Sequence, residues 1–187
     1  MVDPLKARFT RSLPAAGAFT GTVYRSSTPK YATETDLLTG EGSRRSGGRW
    51  NPIGLAVVYV SLTPETALAE TLAHNRYYSI PVQDAMPRTF VAISAKLQAV
   101  LDLRVGTTRQ RLQVSLERIL TVDWRKEVSA GREPITQALG RAASDVGLEG
   151  LIVPSAADPN GHNLLVFLKN LRAGSHSRVL APERLTP

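Results

Sequence analysis

Residues 40–52 read Gly-Glu-Gly-Ser-Arg-Arg-Ser-Gly-Gly-Arg-Trp-Asn-Pro. Glycine lets backbone N–H groups come close to a ligand, and arginine offers a planar, permanently charged fork that matches phosphate oxygens. The composition suits neither a helix nor a strand, so a loop that grips an anion is expected, with Arg44, Arg45 and Arg49 competing for the role. An ordinary turn carrying solvated arginines is the alternative reading. The second group with chemistry to offer is Glu70. It lies between Ala67 and Ala73 at three-residue spacing and nearly opposite Leu68, so small neighbours leave room beside its carboxylate; a solvated helical glutamate would look the same. Glu65, five residues earlier, is about 140° away around a helix and does not share that face.

The elements that position these groups are legible in part. Thr63-Pro64-Glu65 is a helix start, with a threonine cap, proline at the first helical position and an acid in the first turn; the helix is expected to run to about His74. Before it, residues 56–62 alternate as a strand, with Ala56, Val58, Val60 and Leu62 on one face and Val57, Tyr59 and Ser61 on the other. Residues 20–25 read as a short strand that ends on Arg25, with Val23 on the same face and Tyr24 opposite, preceded by a loosely ordered stretch at 15–18. Further strands are expected at 90–95, 100–103, 151–153 and 164–167, and helices at 109–120 and 134–146. The connection from Pro154 to Asn163 is rich in turn residues and returns into an apolar strand, as a hairpin at the edge of a site would.

Composition narrows the chemistry. With 187 residues, 42% of them hydrophobic, the chain can bury a core of its own, and no repeat or long linker divides it. The absence of cysteine excludes a disulfide framework, thiolate catalysis and cysteine-ligated zinc, and His74, His162 and His176 are too scattered for a metal motif, so no metal is expected. There is no Walker loop, dinucleotide GxGxxG, nucleophile elbow or HExxH. The start has no apolar run behind its basic residues, and the apolar runs near 55–60 and 164–168 are far below the roughly 20 residues that cross a bilayer, so a soluble, cytoplasmic protein is expected. A net charge of +7 favours an anionic partner: nucleic acid, a phosphorylated small molecule or an acidic protein. The arginines are spread from Arg8 to Arg184 with no polybasic tract, and aromatics are only 6%, so a single-strand stacking platform is not indicated.

Taken in series, the blocks Tyr24-Arg25, Gly48-Arg49-Trp50-Asn51-Pro52, Val58-Tyr59-Val60-Ser61, Thr63 to Glu70, Gly147 to Ser155 and Asn163 to Phe167 resemble the RES-domain toxin family. The resemblance covers residues 20–168 and is strongest in the central block through Glu70. It implies an α+β fold: a single domain, residues 1–187, with an ADP-ribosyltransferase-like split β core flanked by helices. It also implies the toxin of a bacterial toxin–antitoxin pair that takes NAD⁺ as substrate, without a metal, and passes ADP-ribose to water, phosphate or a protein.

On that resemblance the site residues are Arg25, Arg49, Tyr59, Glu70 and Ser155, with Asn163 a further match. Cleaving the nicotinamide–ribose bond builds positive charge on the sugar, which a carboxylate such as Glu70 stabilises. Arg25 and Arg49 would hold the pyrophosphate, the Tyr59 ring would pack on nicotinamide, and the Ser155 hydroxyl would fix a ribose or amide. Structural readings compete: a half-buried strand tyrosine at 59, a turn serine at 155, a strand-entry cap at Asn163, packing for Trp50 and a turn for Asn51. The tip Asp158-Pro159-Asn160-Gly161-His162 resembles an insertion beside the pocket. The family further implies a helix-turn-helix antitoxin from the neighbouring gene that covers the cleft, no direct nucleic-acid binding and no membrane. The alternative from another class is a basic RNA-binding or RNA-cleaving toxin.

Overall fold

The computed structural model describes residues 3–181. The ends of the expected domain, with Arg184, lie outside them. In chain order the elements are α1 (Pro4–Ser12), β1 (Gly17–Ser27), α2 (Glu34–Leu38), α3 (Glu41–Ser46), β2 (Val58–Ser61), α4 (Pro64–Tyr77), β3 (Thr89–Asp102), α5 (Gly106–Leu112), α6 (Leu116–Thr121), α7 (Trp124–Ser129), α8 (Ile135–Asp145), β4 (Gly150–Pro154), β5 (His162–Val166) and β6 (His176–Val179). The strands form a six-stranded sheet in the order β1-β2-β5-β4-β3-β6, and β1 also pairs with β3, so the ladder from β1 round to β3 closes on itself. The expected α+β architecture, a sheet core flanked by helices, is the one observed.

β3 makes that closure. Along most of its length it runs antiparallel to β1, from Ser27↔Thr89 to Gly17↔Val100, with β6 on its other edge at Ile93 to Lys96. Its last residues, Val100 to Asp102, leave β6 behind and pair in parallel with β4. Between Leu97 and Val100 the register against β1 slips, because β3 carries one extra residue there. The bulge leaves two adjacent amides, Gln98 N and Ala99 N, and the buried Glu149 carboxylate accepts from both. Glu149 also accepts from Arg172 N at 2.6 Å and Ser175 Oγ at 2.8 Å, tying the bulge to the segment that leads into β6.

Strand alternation divides the apolar side chains between two cores. Val23, Val58, Val60, Ile93, Ile152 and Leu164 form one on one face of the sheet. Leu101, Leu151, Val153, Leu165 and Phe167 turn to the other face and meet Phe9 of α1, Leu112 of α5, Ile119 of α6 and Leu139 of α8. A fully buried side chain of this kind contributes roughly 1.5–3 kcal/mol, so these contacts outweigh the local preferences of the short helices they anchor. Gly140 lets α8 lie directly on the Trp50 carbonyl: a Cβ there would sit 1.8 Å from that oxygen.

Several expectations change in detail. Residues 40–52 are not all loop: α3 occupies the first half, because Glu41 pairs with both Arg44 and Arg45 one turn on and Ser43 Oγ bonds the Gly40 and Val57 carbonyls. The expected helix at 109–120 is two helices, divided where Gln113 takes φ 56° and Ser115 caps the next turn. The strands at 90–95 and 100–103 are one strand bent by the bulge, and residues 15–18 lead from a 3₁₀ turn straight into β1. α1, α2, α7 and β6 were not anticipated, although Asp3-Pro4 at the start of α1 is a cap-and-proline signal of the kind that opens α4. Among the described residues no helix is long and apolar enough to cross a membrane.

Candidate active site

Glu70 lies on the second turn of α4. The helix start is as expected, Thr63 Oγ1 accepting from Thr66 N at 3.2 Å, and it is clamped from outside as well: Thr66 Oγ1 donates to Asp158 Oδ2 at 2.8 Å. The 154–163 tip therefore fixes the helix that carries the carboxylate. It also supplies a partner, since Ser155 Oγ donates to Glu70 Oε1 at 2.7 Å while accepting from Ala157 N and Asp158 N, both at 3.0 Å. A hydroxyl has one proton, and two amides occupy its lone pairs, so that proton must point at Glu70.

Asn163 Nδ2 donates to the same Oε1 at 2.6 Å. Its orientation is set by Ser61 Oγ, which donates to Asn163 Oδ1 at 2.7 Å across the β2–β5 ladder, where the two residues are register partners. Both bonds converge on one carboxylate oxygen, and among the described residues Oε2 takes no hydrogen bond. Glu70 is thus held in a single orientation through Oε1 while its side chain lines the cleft.

The cleft has a volume of about 440 Å³, within the usual range for small-molecule sites. Tyr24, Arg25, Arg49, Tyr59, Glu70 and Asn163 line it, so all the expected site residues but Ser155 do so directly, and Ser155 stands behind Glu70. The remaining arginines of the glycine loop do not: Arg44 and Arg45 are exposed and paired to Glu41, whose carboxyl they hold down to about 2.

Arg49 Nη2 donates to the Ile119 and Leu120 carbonyls at 2.6 and 2.9 Å, leaving Nη1 and Nε for a ligand. Burial lowers its pKa, Glu70 opposes that and Arg125 adds to it, yet a guanidinium stays charged. Arg25 is anchored in the same way, Nη1 donating to the Leu37 carbonyl, and its pKa is also lowered by burial and partly restored by Asp36. Each arginine is fixed by backbone at one end of its fork and open at the other.

Tyr59 presents its ring to the cleft, but its hydroxyl faces inward. It donates to Asn51 Oδ1 at 2.6 Å and accepts from Trp50 N at 2.9 Å, and burial raises its pKa so that it stays neutral. Asn51 is more than a turn former. It is fully buried and its Nδ2 reaches the Ser43, Leu55 and Pro52 carbonyls, closing the loop on itself. Gly48 is required beside this pair, because a Cβ there would meet Tyr59 Oη at 2.7 Å. Trp50 is packing, as expected, 3% exposed in the outer core.

Sequence reasoning missed the roles of Ser61 and Thr66, the Asp158 carboxylate that accepts from Thr66, and the Ala157 and Asp158 amides that donate to Ser155. Ser61 alternates with Tyr59 on the strand, which was the one available signal. Among the described residues no group of three His, Cys, Asp or Glu side chains is placed to hold a metal.

A closed six-stranded sheet, with a carboxylate held at one oxygen, two backbone-anchored guanidiniums and an aromatic wall in one cleft, defines an α+β protein whose cleft suits an anionic ligand. The chain belongs to the RES domain family, whose model matches residues 22–186. It is 31% identical over 147 residues to the Prs ADP-ribosylating toxin of a Sphingobium species, covering 79% of this chain and 82% of that one. It is 27% identical over 161 residues to the NAD(+) phosphorylase MbcT of Mycobacterium tuberculosis, with 83% and 80% covered. The crystal structure of the M. tuberculosis MbcT-MbcA toxin-antitoxin complex contains a chain of the same fold, with TM-score 0.67, 25% identity and 96% and 95% coverage.

Proposed function

We propose that this protein is the toxin of a toxin–antitoxin pair, and that it binds NAD⁺ in the cleft and breaks its nicotinamide–ribose bond. The observation that carries the chemistry is the convergence of Ser155 and Asn163 on Oε1 of Glu70. It leaves Oε2 free of protein donors among the described residues, so that the carboxylate can face a sugar that becomes positive as the C–N bond breaks. Nicotinamide leaves with the bonding electron pair as a neutral base. The ribosyl cation is then captured by an acceptor oxygen that loses its proton.

In this reading Arg25 and Arg49 hold the pyrophosphate through their open donors, and the Tyr59 ring packs on nicotinamide. Holding Tyr59 by its hydroxyl keeps the ring rigid, so stacking costs little further entropy. The named relatives differ in acceptor, one a phosphorylase and one an ADP-ribosylating toxin. The reading as an RNA-cleaving toxin is not favoured: arginines are divided among Glu41, backbone carbonyls and one cleft rather than laid along a track for a phosphate backbone.

An antitoxin partner follows from the kinship with the toxin of the MbcT-MbcA complex. We further propose a helix-turn-helix antitoxin that covers the cleft, and action in the cytoplasm, where NAD⁺ is available. The decisive experiment incubates purified protein with NAD⁺ and follows nicotinamide by chromatography, with Glu70→Gln in parallel and circular dichroism on both. Release by the unmutated protein and a loss of at least a hundredfold in a folded Glu70→Gln protein are expected; equal release by both would refute the role of Glu70.

A further inference from the structure

Six buried polar side-chain atoms lack a hydrogen-bond partner among the described residues; three belong to residues that line the cleft, and a fourth, on Arg125, lies behind the cleft-lining His74. These are Ser26 Oγ, Asn75 Nδ2, Arg88 Nε and Arg125 Nε. All four can donate, and an unsatisfied buried donor costs about 1–3 kcal/mol, so their concentration at one place calls for an acceptor-rich ligand. Asn75 is only 4% exposed, on the last turns of α4, five residues beyond Glu70 and next to His74, which is one turn from it.

The charges point the same way. Among the described residues Arg88 and Arg125, like the cleft arginines Arg25 and Arg49, are in no salt bridge, whereas the surface arginines Arg44, Arg45, Arg104, Arg132 and Arg141 are. Arg125, from α7, is held by aromatic faces instead, 4.2 Å from the Tyr77 centroid and 4.4 Å from that of Trp124. Its Nη2 lies 3.4 Å from Nδ1 of His74, which lines the cleft beside Asn75 and Arg88. Burial and the positive fields of Arg125 and Arg88 keep the His74 imidazole below its ordinary pKa. The other neighbours of His74 are the Tyr78 ring, 4.9 Å away, and Glu70 one turn earlier on α4. Two like charges thus flank the His74 ring, and neither is in an ion pair among the described residues.

We infer that Asn75, Arg88 and Arg125, with His74, form a second oxyanion subsite at the C-terminal end of α4 that takes a phosphoryl group. It is separate from the Arg25–Arg49 pair and stands one helical turn from the reacting carboxylate. The group is either free inorganic phosphate, seated as the acceptor, or a phosphate of the dinucleotide itself. Only the choice between these sources rests on the proposed NAD⁺ reaction.

The test follows the His74 ring by NMR, its resonance assigned with His74→Asn, as unmutated protein is titrated with inorganic phosphate. A bound phosphate is expected to raise the His74 pKa, and Arg88→Gln should weaken phosphate at least tenfold, with partial rescue by Arg88→Lys. NAD⁺ is then titrated into Glu70→Gln protein. If phosphate and NAD⁺ bind together, the subsite holds the acceptor; if they compete, or only NAD⁺ shifts His74, it holds the dinucleotide. A His74 ring unmoved by either ligand, with NAD⁺ bound, overturns the subsite and leaves the proposed function standing. A phosphate response without NAD⁺ binding does the reverse.

Discussion

The site turns on how one carboxylate oxygen is held. Ser155 is committed by its two backbone amides, whereas Asn163 depends on Ser61 to keep its amide from rotating. Ser61, which also lines the cleft, is therefore a positioning residue for Asn163. Replacing it with alanine removes a hydrogen bond of about 1 kcal/mol and should lower kcat roughly fivefold to tenfold, leaving KM for NAD⁺ within about twofold. Ser61→Thr, which keeps the hydroxyl, should restore most of the rate. A KM effect in place of a kcat effect would show that Ser61 shapes binding instead. Asn163 and Ser155 could be picked out as chemical groups in the sequence, but not the direction in which either donates. That depends on which oxygen of Glu70 lies within reach and on what occupies the opposite end of each side chain.

Among the elements, β3 carries the architecture, because its bulge lets one strand serve two neighbours on the same edge. Glu149 stabilises that bend. Burial alone would raise its pKa, but the amides of Gln98 and Arg172, the Ser175 hydroxyl and the Ala99 amide outweigh this and hold it below its ordinary value. A carboxylate with a depressed folded pKa contributes fully above its unfolded value, and the contribution is lost as pH falls through the folded pKa. Glu149→Gln can still accept but adds an unwanted donor, so it should destabilise by about 1.5–3 kcal/mol at pH 7. Urea unfolding between pH 7 and 3 should show this difference shrinking below about pH 4.5. A constant difference would place the effect in packing rather than charge. The two arginines of α3 were legible as charged residues but not as a helix, since their composition is that of a loop and only the Glu41 pairing and the Val57 contact make the turn stable.

For the whole molecule, the cleft is assembled from α4, β1, β2, the 47–52 loop, the segment before β3 and the 154–163 tip, whose Ser155 stands behind Glu70. A ligand that bridges these parts stabilises them together. NAD⁺ at a hundred times its Kd is expected to contribute about 2.7 kcal/mol, which is roughly 5–10 °C in Tm for a chain of this length. The measurement is a thermal melt of Glu70→Gln protein, which should bind without consuming the ligand. No shift at saturating NAD⁺ would remove the cleft from consideration as its site. Co-expression with the neighbouring gene's product tests the antitoxin separately: a stable complex should slow NAD⁺ binding, while a complex that leaves it unchanged would mean the cleft is not covered.

The local start of α4, the alternation of β2 and the kinship of the motif series were all determined by the amino-acid sequence, because each depends on residues close together in the chain. Thr63, Pro64 and Glu65 specify a helix start by capping and dihedral preference wherever they occur. The pairing of donors to acceptors was decided only by the tertiary structure. Arg49 meets the Ile119 and Leu120 carbonyls seventy and seventy-one positions away, Asn163 meets Glu70 ninety-three away, and Glu149 meets the β3 bulge fifty-one away. Contacts across such separations follow from which strands adjoin and where the register slips. Those are properties of the closed sheet as a whole, to which no window of neighbouring residues is sensitive.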